Sequence, residues 1–330
     1  MPSDEPPPAT LDAEGVTGTP VCFRHPDRET FLRCSRCERS ICTDCMVTAP
    51  VGFHCPECVR DGNRVVRQAR TIAGGRHHSR QGVVTASLIA VCVVMFGLQN
   101  LVGPAFTDRM DLQAMAQQIS SLPSTQHIGV AYGDWYRLVS SMFVHMNIAH
   151  LAMNMLSLWW IGTPVEARLG RSRFLATYFT CGIAGSAASY ASLQAYGSSL
   201  GASGAIFGLL GVLAVLAYRE RLNMQPVITV ILLNLIFSFT MTGISWQSHV
   251  GGLVAGLVLG VALAYAPRPR TVISWFKNPQ NLVPTATGVA ILAAAAIIVL
   301  VHTSQLQGQA SASALTGGWL ELLRQAVVRS

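Results

Sequence analysis

Long apolar runs divided by short polar joints dominate the chain from residue 83 onward. Crossing a bilayer core takes about 20 apolar residues in a helix, and runs approaching that length recur near residues 83–103, 139–162, 174–192, 202–218, 226–242, 247–265 and 286–303. The pattern predicts seven transmembrane helices and an all-α polytopic membrane protein. A stretch of mixed polarity, 104–138, separates the first two spans and is too long for a turn. Its backbone polar groups must be satisfied outside lipid or against protein. Ahead of residue 83 the pattern changes. Residues 1–20, rich in Pro, Asp, Glu, Thr and Gly, read as a disordered leader. Residues 21–59 form a Cys/His module, and residues 60–82 a basic juxtamembrane linker with Arg60, Arg64, Arg67, Arg70, Arg76 and Arg80.

Composition agrees, since 51% hydrophobic and 12% charged residues do not describe an ordinary soluble protein. The net charge of +7 raises the question of nucleic acid, but the basic residues sit beside apolar runs, where anionic lipid headgroups are the expected partners. The start of the chain is acidic and proline-rich, without the basic and apolar regions of a secretory signal, so the N-terminus is expected in the cytosol. Arg168, Arg171 and Arg173, then Arg219 and Arg221, then Arg268, Arg270 and Lys277 fall on alternate joints, on the side of the basic linker. By the positive-inside rule that side is cytoplasmic. The opposite joints carry only Arg109 and Arg137, and Arg324 and Arg329 follow the last span, so the C-terminus is expected outside the cytoplasm.

Polar side chains within spans are costly and mark function by default. The second span holds His145, His150 and Asn154; the fourth opens with Gly201-Ala202-Ser203-Gly204-Ala205-Ile206-Phe207-Gly208; the sixth carries Ser248, His249, Gly251, Gly252, Gly256 and Gly260. His150 and Asn154 lie one helical turn apart and share a face. His249, Gly252, Gly256 and Gly260 also share a face, and Gly201, Gly204, Gly208 and Gly211 give the fourth span a comparable smooth surface. Packed through those glycines, the two spans can bring Ser203 and His249 within hydrogen-bond reach as nucleophile and general base. Ser203 alone would read as a structural serine bonded to a carbonyl one turn earlier. The joint arrangement points to chemistry.

Several motifs occur in one order: Trp135-Tyr136-Arg137, His145-x4-His150-x3-Asn154, Glu166-x3-Gly170, Gly201-x-Ser203-Gly204-x2-Phe207-Gly208 and His249-x2-Gly252-x3-Gly256. A GxSG motif alone also occurs in soluble hydrolases, but together these resemble the rhomboid family of intramembrane serine proteases over roughly residues 83–266. The resemblance implies a rhomboid-type six-helix core, with the seventh transmembrane helix as an addition within 267–330 followed by a short extracytoplasmic tail. It implies a serine endopeptidase acting on transmembrane protein substrates in or near their membrane-spanning segments. Ser203 would attack the scissile carbonyl and His249 would take its proton, with no acidic third residue and no cofactor. The Ser203 backbone N–H with the Asn154 and His150 side chains would form the oxyanion hole. Phe207 matches the place of an aromatic ring against the histidine, while Arg137 and Glu166 match bracing positions in the first loop and at the end of the second span. The 104–138 segment would be partly embedded, and the fifth span a lateral gate. From Ser203 to Arg219 the fourth span rises only about 24 Å, so Ser203 is expected below the outer surface, in a polar cavity that opens outward.

The N-terminal module reads Cys22-x2-His25, Cys34-x2-Cys37, Cys42-x2-Cys45 and Cys55-x2-Cys58, enough ligands for two tetrahedral zinc ions. Pair spacing and an expected cytosolic location favour zinc over disulfides. The module resembles a B-box-type zinc finger, in which pairs interleave, so that Cys22 and His25 would join Cys42 and Cys45, and Cys34 and Cys37 would join Cys55 and Cys58; sequential pairing is the alternative. His54, next to Cys55, could substitute in one site, but it is expected at the surface. The metal would be structural, and the module's expected role is to bind a cytosolic protein partner rather than nucleic acid. Two other readings of the membrane part compete: an inactive rhomboid-like protein that binds membrane clients with the zinc module as adaptor, and a transporter. The first would be expected to lose Ser203, His249 or their glycines, which are present, and the second predicts internal repeats, which the sequence does not display.

Overall fold

The computed structural model describes residues 19–65, 81–118, 126–194, 197–240, 243–266 and 279–328. The leader and most of the basic linker, along with Arg268, Arg270, Lys277 and Arg329, lie outside the described residues. The chain divides into two compact units, Met1–Gln68 and Ala69–Ser330.

In the first unit β1 (Val21–Cys22) pairs antiparallel with β2 (His25–Glu29), and β3 (Val47–Thr48) with β4 (Phe53–His54). Strands this short cannot stand alone, and the interior is mostly sulfur: six buried cysteines gather around the fully buried Ile41. Helix α1 (Pro56–Val65) starts on a proline, whose missing N–H is no loss in a first turn. It carries Cys58 and continues past residue 59.

The second unit opens with α2 (Val83–Val102), which stops at Gly103, and α3 (Pro104–Met110). The mixed-polarity stretch then folds on itself. β5 (Leu112–Gln113) precedes a hairpin of β6 (Ala116–Gln118) with β7 (Gln126–Ile128), a 3-10 turn at Val130–Tyr132 and the single-turn helix α4 (Arg137–Ser140). Its apolar residues Leu112, Met115, Val130 and Leu138 are buried in a cluster with Tyr190, Val299 and Leu306.

The expected second span, 139–162, is not one helix. The chain leaves helical geometry after Phe143 and restarts as α5 (Ile148–Ser157), where Asn147 caps the new helix by accepting the His150 N–H at 2.9 Å. Apolar side chains on both sides of the break hide it from a hydropathy reading. Past Ser157 the helix passes through a π-helical stretch, Leu158–Gly162, into α6 (Thr163–Leu169), beyond the expected end. Helix α7 (Arg171–Ser192) follows, then β8 (Ser198–Ser199), which pairs antiparallel with β5.

Three further helices complete the bundle: α8 (Ser203–Arg219), α9 (Gln225–Thr240) and α10 (Trp246–Tyr265). Helix α10 packs on both α8 and α7. A side-chain carbon at Gly252 or Gly256 would run into the carbonyl oxygens of Gly204 and Gly208, so these glycines set the approach of α10 to α8. The last helix, α11 (Pro279–Val328), is far longer than the expected span 286–303. The continuous apolar run ends near residue 301, but the Ala, Ser and Gln residues that follow continue the helix. Among the described residues, Val83–Val102, Trp246–Tyr265 and Leu282–Ala312 are long and apolar enough to cross a membrane, and α8 and α9 are shorter apolar helices.

Candidate active site and metal clusters

Ser203 is the first residue of α8 and His249 lies in the first turn of α10, so the glycine contact brings two helix starts together. Ser203 Oγ lies 2.7 Å from His249 Nε2. The Phe207 ring stacks on the imidazole, with centroids 4.3 Å apart and planes 11° from parallel. His249 is buried, and Ser203 is half-buried.

Opposite Ser203 stands the start of α5. Gly201 has φ +124°, and a side-chain carbon there would meet His150 Cε1 at 2.8 Å, so the glycine leaves room for the His150 ring beside Ser203. The Met146 N–H donates to His150 Nδ1 over a long 3.4 Å. That places the ring hydrogen on Nε2, the atom that faces Gly201. One N–H of Asn154 donates to the His150 carbonyl at 2.9 Å, and Asn154 Oδ1 is buried without a partner among the described residues. An amide nitrogen carries two hydrogens, so Asn154 keeps a second donor. His145 packs edge-on against His150 with centroids 5.2 Å apart, and neither of its ring nitrogens has a partner among the described residues. A buried polar ring of this kind calls for water.

Several residues that support the site were not singled out from sequence. Gln99 of α2 holds the break in the second span: its Oε1 accepts the His145 N–H at 3.0 Å, and its Nε2 donates to the His145 carbonyl at 3.2 Å. Asn147 caps α5, and Ser238 of α9 reaches His249 Nδ1 at 2.6 Å. Gln99 and Ser238 are polar side chains inside apolar helices, the signal that would have found them. Arg137 is fully buried; its Nε donates to Asp134 at 3.0 Å and its Nη1 to the carbonyls of Asp108 at 2.6 Å and Asp111 at 3.0 Å, tying the first loop together. Glu166 accepts from the Val84 N–H, the Thr85 N–H and the Thr85 hydroxyl, at 3.1, 2.8 and 2.8 Å. It therefore joins α6 to the start of α2, where free N–H groups favour a carboxylate.

In the first unit the ligand atoms gather in two interleaved clusters, Cys22, His25, Cys42 and Cys45, and Cys34, Cys37, Cys55 and Cys58, each within 4.8 Å. His54 belongs to neither. Tetrahedral zinc with bonds of about 2.3 Å to sulfur sets sulfur atoms about 3.8 Å apart. Cys37 and Cys55 Sγ are 3.8 Å apart, and His25 Nδ1 lies 3.3, 3.4 and 3.8 Å from Cys42, Cys45 and Cys22. Both clusters could hold a metal ion. Burial pushes the Cys22 and Cys34 thiols up, but neighbouring backbone N–H groups outweigh it and bring both down to about 6. Burial drives Cys45 up to about 11 and Cys58 to about 12, and the neighbouring sulfurs of each cluster push the same way, since crowded sulfurs cannot all be thiolates without a cation.

Comparison with known proteins places these features. The sequence profile of the rhomboid domain matches residues 132–266. The chain is 39% identical over 184 residues to Rhomboid protease GluP of Bacillus subtilis, an alignment that covers 54% of this chain and 34% of that protein. It is 32% identical over 172 residues to Putative rhomboid protease YdcA of the same organism, covering 47% of this chain and 86% of YdcA. RHOMBOID-like protein 5 of Arabidopsis thaliana is 33% identical over 178 residues, covering 50% of this chain and 56% of that protein. The chain thus spans about a third of GluP but most of YdcA. On the profile match and the coverage of YdcA, this chain, with its all-α polytopic membrane fold, belongs to the rhomboid family.

Proposed function

We propose that this protein is an intramembrane serine endopeptidase that hydrolyses peptide bonds in or near the transmembrane segments of other membrane proteins. The observation that carries this reading is the 2.7 Å contact from Ser203 Oγ to His249 Nε2, beneath the stacked Phe207 ring. On this reading Ser203 gives its proton to His249 as Oγ bonds to the scissile carbonyl carbon. The charge on the carbonyl oxygen is met by the Ser203 N–H, the His150 Nε2–H and the second N–H of Asn154. His249 then gives the proton to the leaving amine, and water repeats the sequence on the acyl-enzyme. GluP and YdcA, both called proteases, support the chemistry.

The proposed catalytic core is residues 83–266, with the seventh helix added behind it. The alternation of arginines supports a cytoplasmic N-terminus and an active site and C-terminus that face outward. The clusters of the first unit each suit one structural zinc ion, and residues 21–59 would serve a cytosolic protein partner while the basic linker lies on anionic lipid. Incubation of the purified full chain, and of its Ser203→Ala variant, with a panel of single-span membrane proteins tests the core of this reading. Cleavage by the native protein that Ser203→Ala reduces by on the order of 10³-fold or more is expected. Comparable cleavage by both forms would overturn it, and binding without cleavage by either would leave the client-binding alternative.

A further inference from the structure

His249 Nδ1 faces Ser238 rather than solvent. Ser238 Oγ lies 2.6 Å from Nδ1 and also 2.6 Å from the carbonyl oxygen of Asn234, one turn earlier on α9. A hydroxyl has one hydrogen and a carbonyl only accepts, so that hydrogen belongs to Asn234. Ser238 then offers His249 a lone pair, and Nδ1 must carry the ring hydrogen. Nε2 is left with its own lone pair, aimed at Ser203 Oγ at 2.7 Å. The hydrogen bonds run in one direction: Ser203 donates to His249, His249 to Ser238, and Ser238 to the Asn234 carbonyl.

We propose that Ser238 is a positioning residue, which fixes the tautomer and orientation in which His249 takes the proton of Ser203. The inference rests on the protease reading above. Two features set Ser238 apart from an ordinary helix serine. It is the buried residue of α9, whereas Ile228, Leu232, Leu233, Ile236 and Phe237 of the same helix are exposed. Thr240 makes the same bond to its own helix, to the Ile236 carbonyl at 2.9 Å, but faces outward. A serine that served only its helix would not need to meet the imidazole. Among the described residues, Ser203 bonds to that ring and Phe207 stacks on it, both from α8, and α9 supplies the Nδ1 partner. During proton transfer the Ser203 O–H bond breaks as the Nε2–H bond forms, while Nδ1 keeps its hydrogen and donates it more strongly to Ser238.

The test uses the purified full chain in detergent and a fluorophosphonate probe, which reports activation of Ser203 without a known substrate. Native protein, Ser203→Ala, Ser238→Ala, Ser238→Thr and Ser238→Val are compared for labelling rate and thermal unfolding. Thr and Val share a shape and differ in the hydroxyl, so their comparison holds even if Ser238→Ala folds poorly. Labelling by Ser238→Ala and Ser238→Val on the order of tenfold slower is expected, with Ser238→Thr near the native rate. Unfolding temperatures should not follow that order. Native-rate labelling of Ser238→Val, or equal losses in Ser238→Thr and Ser238→Val, would overturn the role of Ser238 while Ser203-dependent labelling leaves the protease reading standing. Labelling of native protein no greater than of Ser203→Ala would remove the protease reading, and this inference with it.

Discussion

Replacing Gly252 with alanine puts a methyl group where the Gly204 carbonyl oxygen stands. The three nearest atoms are all backbone of Gly204 in α8, which cannot swing aside as a side chain could. Unbonded carbon and oxygen need more than about 3 Å, and the two helices must part by roughly 1 Å or more to provide it. His249 lies one turn before Gly252, and Ser203 immediately precedes Gly204, so the separation passes directly to the 2.7 Å contact between them. Overpacking of this kind costs about 1–3 kcal/mol of stability, and misplacing a catalytic group by about 1 Å costs on the order of 10²-fold in rate. Two other glycines grade the argument. At Gly260 a new side-chain carbon meets Val212 Cα at 3.1 Å and Val215 Cβ at 3.2 Å, so a few tenths of an ångström suffice; at Gly288 it meets only Thr180 Oγ1, at 3.9 Å. Fluorophosphonate labelling and thermal unfolding of the three alanine variants should rank Gly252 as most damaging, Gly260 as intermediate and Gly288 as silent. A Gly252→Ala protein that labels at the native rate, or a Gly288→Ala protein as impaired as Gly252→Ala, would refute the claim that glycine contacts set the dyad distance.

Arg137→Ala should cost about 3–5 kcal/mol, because it leaves Asp111 and three carbonyl or carboxylate acceptors of the first loop without their buried cation; an unchanged unfolding temperature would show that the loop does not depend on it. Metal analysis of the full chain should find two zinc ions, released by a strong chelator or by acid, since thiolate ligands must be deprotonated to bind. Labelling of Ser203 should persist after chelation, and a single ion per chain, or labelling lost and then restored by zinc, would contradict the separation of metal site and active site.

What sequence could reveal divides along a physical line. Apolar length alone located helices, because a membrane requires it, and the glycine faces around Ser203 and His249 were readable as periodicity. The break at residues 144–147 was not, since Val144 and Met146 keep the run apolar while Gln99, distant in sequence, satisfies the backbone N–H and carbonyl of His145 that the break leaves outside a helix. Asn147 just before Ile148 carried a local cap signal, but hydropathy averaged over it. The turn at Val130–Tyr132 and the loop around Arg137 likewise depend on partners distant in sequence: Arg137 binds Asp108 and Asp111, and Gln307 of α11 donates to the Ala131 carbonyl at 2.6 Å. Spacing supplied four ligand pairs in the first unit but left their pairing open, and only the chain path shows them interleaved.

On the protease reading, a hydroxyl behind His249, rather than a carboxylate, suits a site inside a membrane. While the imidazole is neutral, a buried carboxylate at Nδ1 would lack a counterion, at a cost of several kcal/mol. Ser238 carries no charge, and the Asn234 carbonyl already satisfies its hydrogen, so the resting site bears no such cost. When His249 takes the proton, the lone pair of Ser238 faces the new charge and favours it, though less than an anion would. A modest loss on removing Ser238 and a near-complete loss on removing Ser203 follow from the same physics. Ser238 sits on α9 and His249 on α10, so on the proposed reading the base is fully oriented only with α9 in place. Any displacement of α9 would break that hydrogen bond, so on this reading the position of α9 and the readiness of His249 are coupled through it.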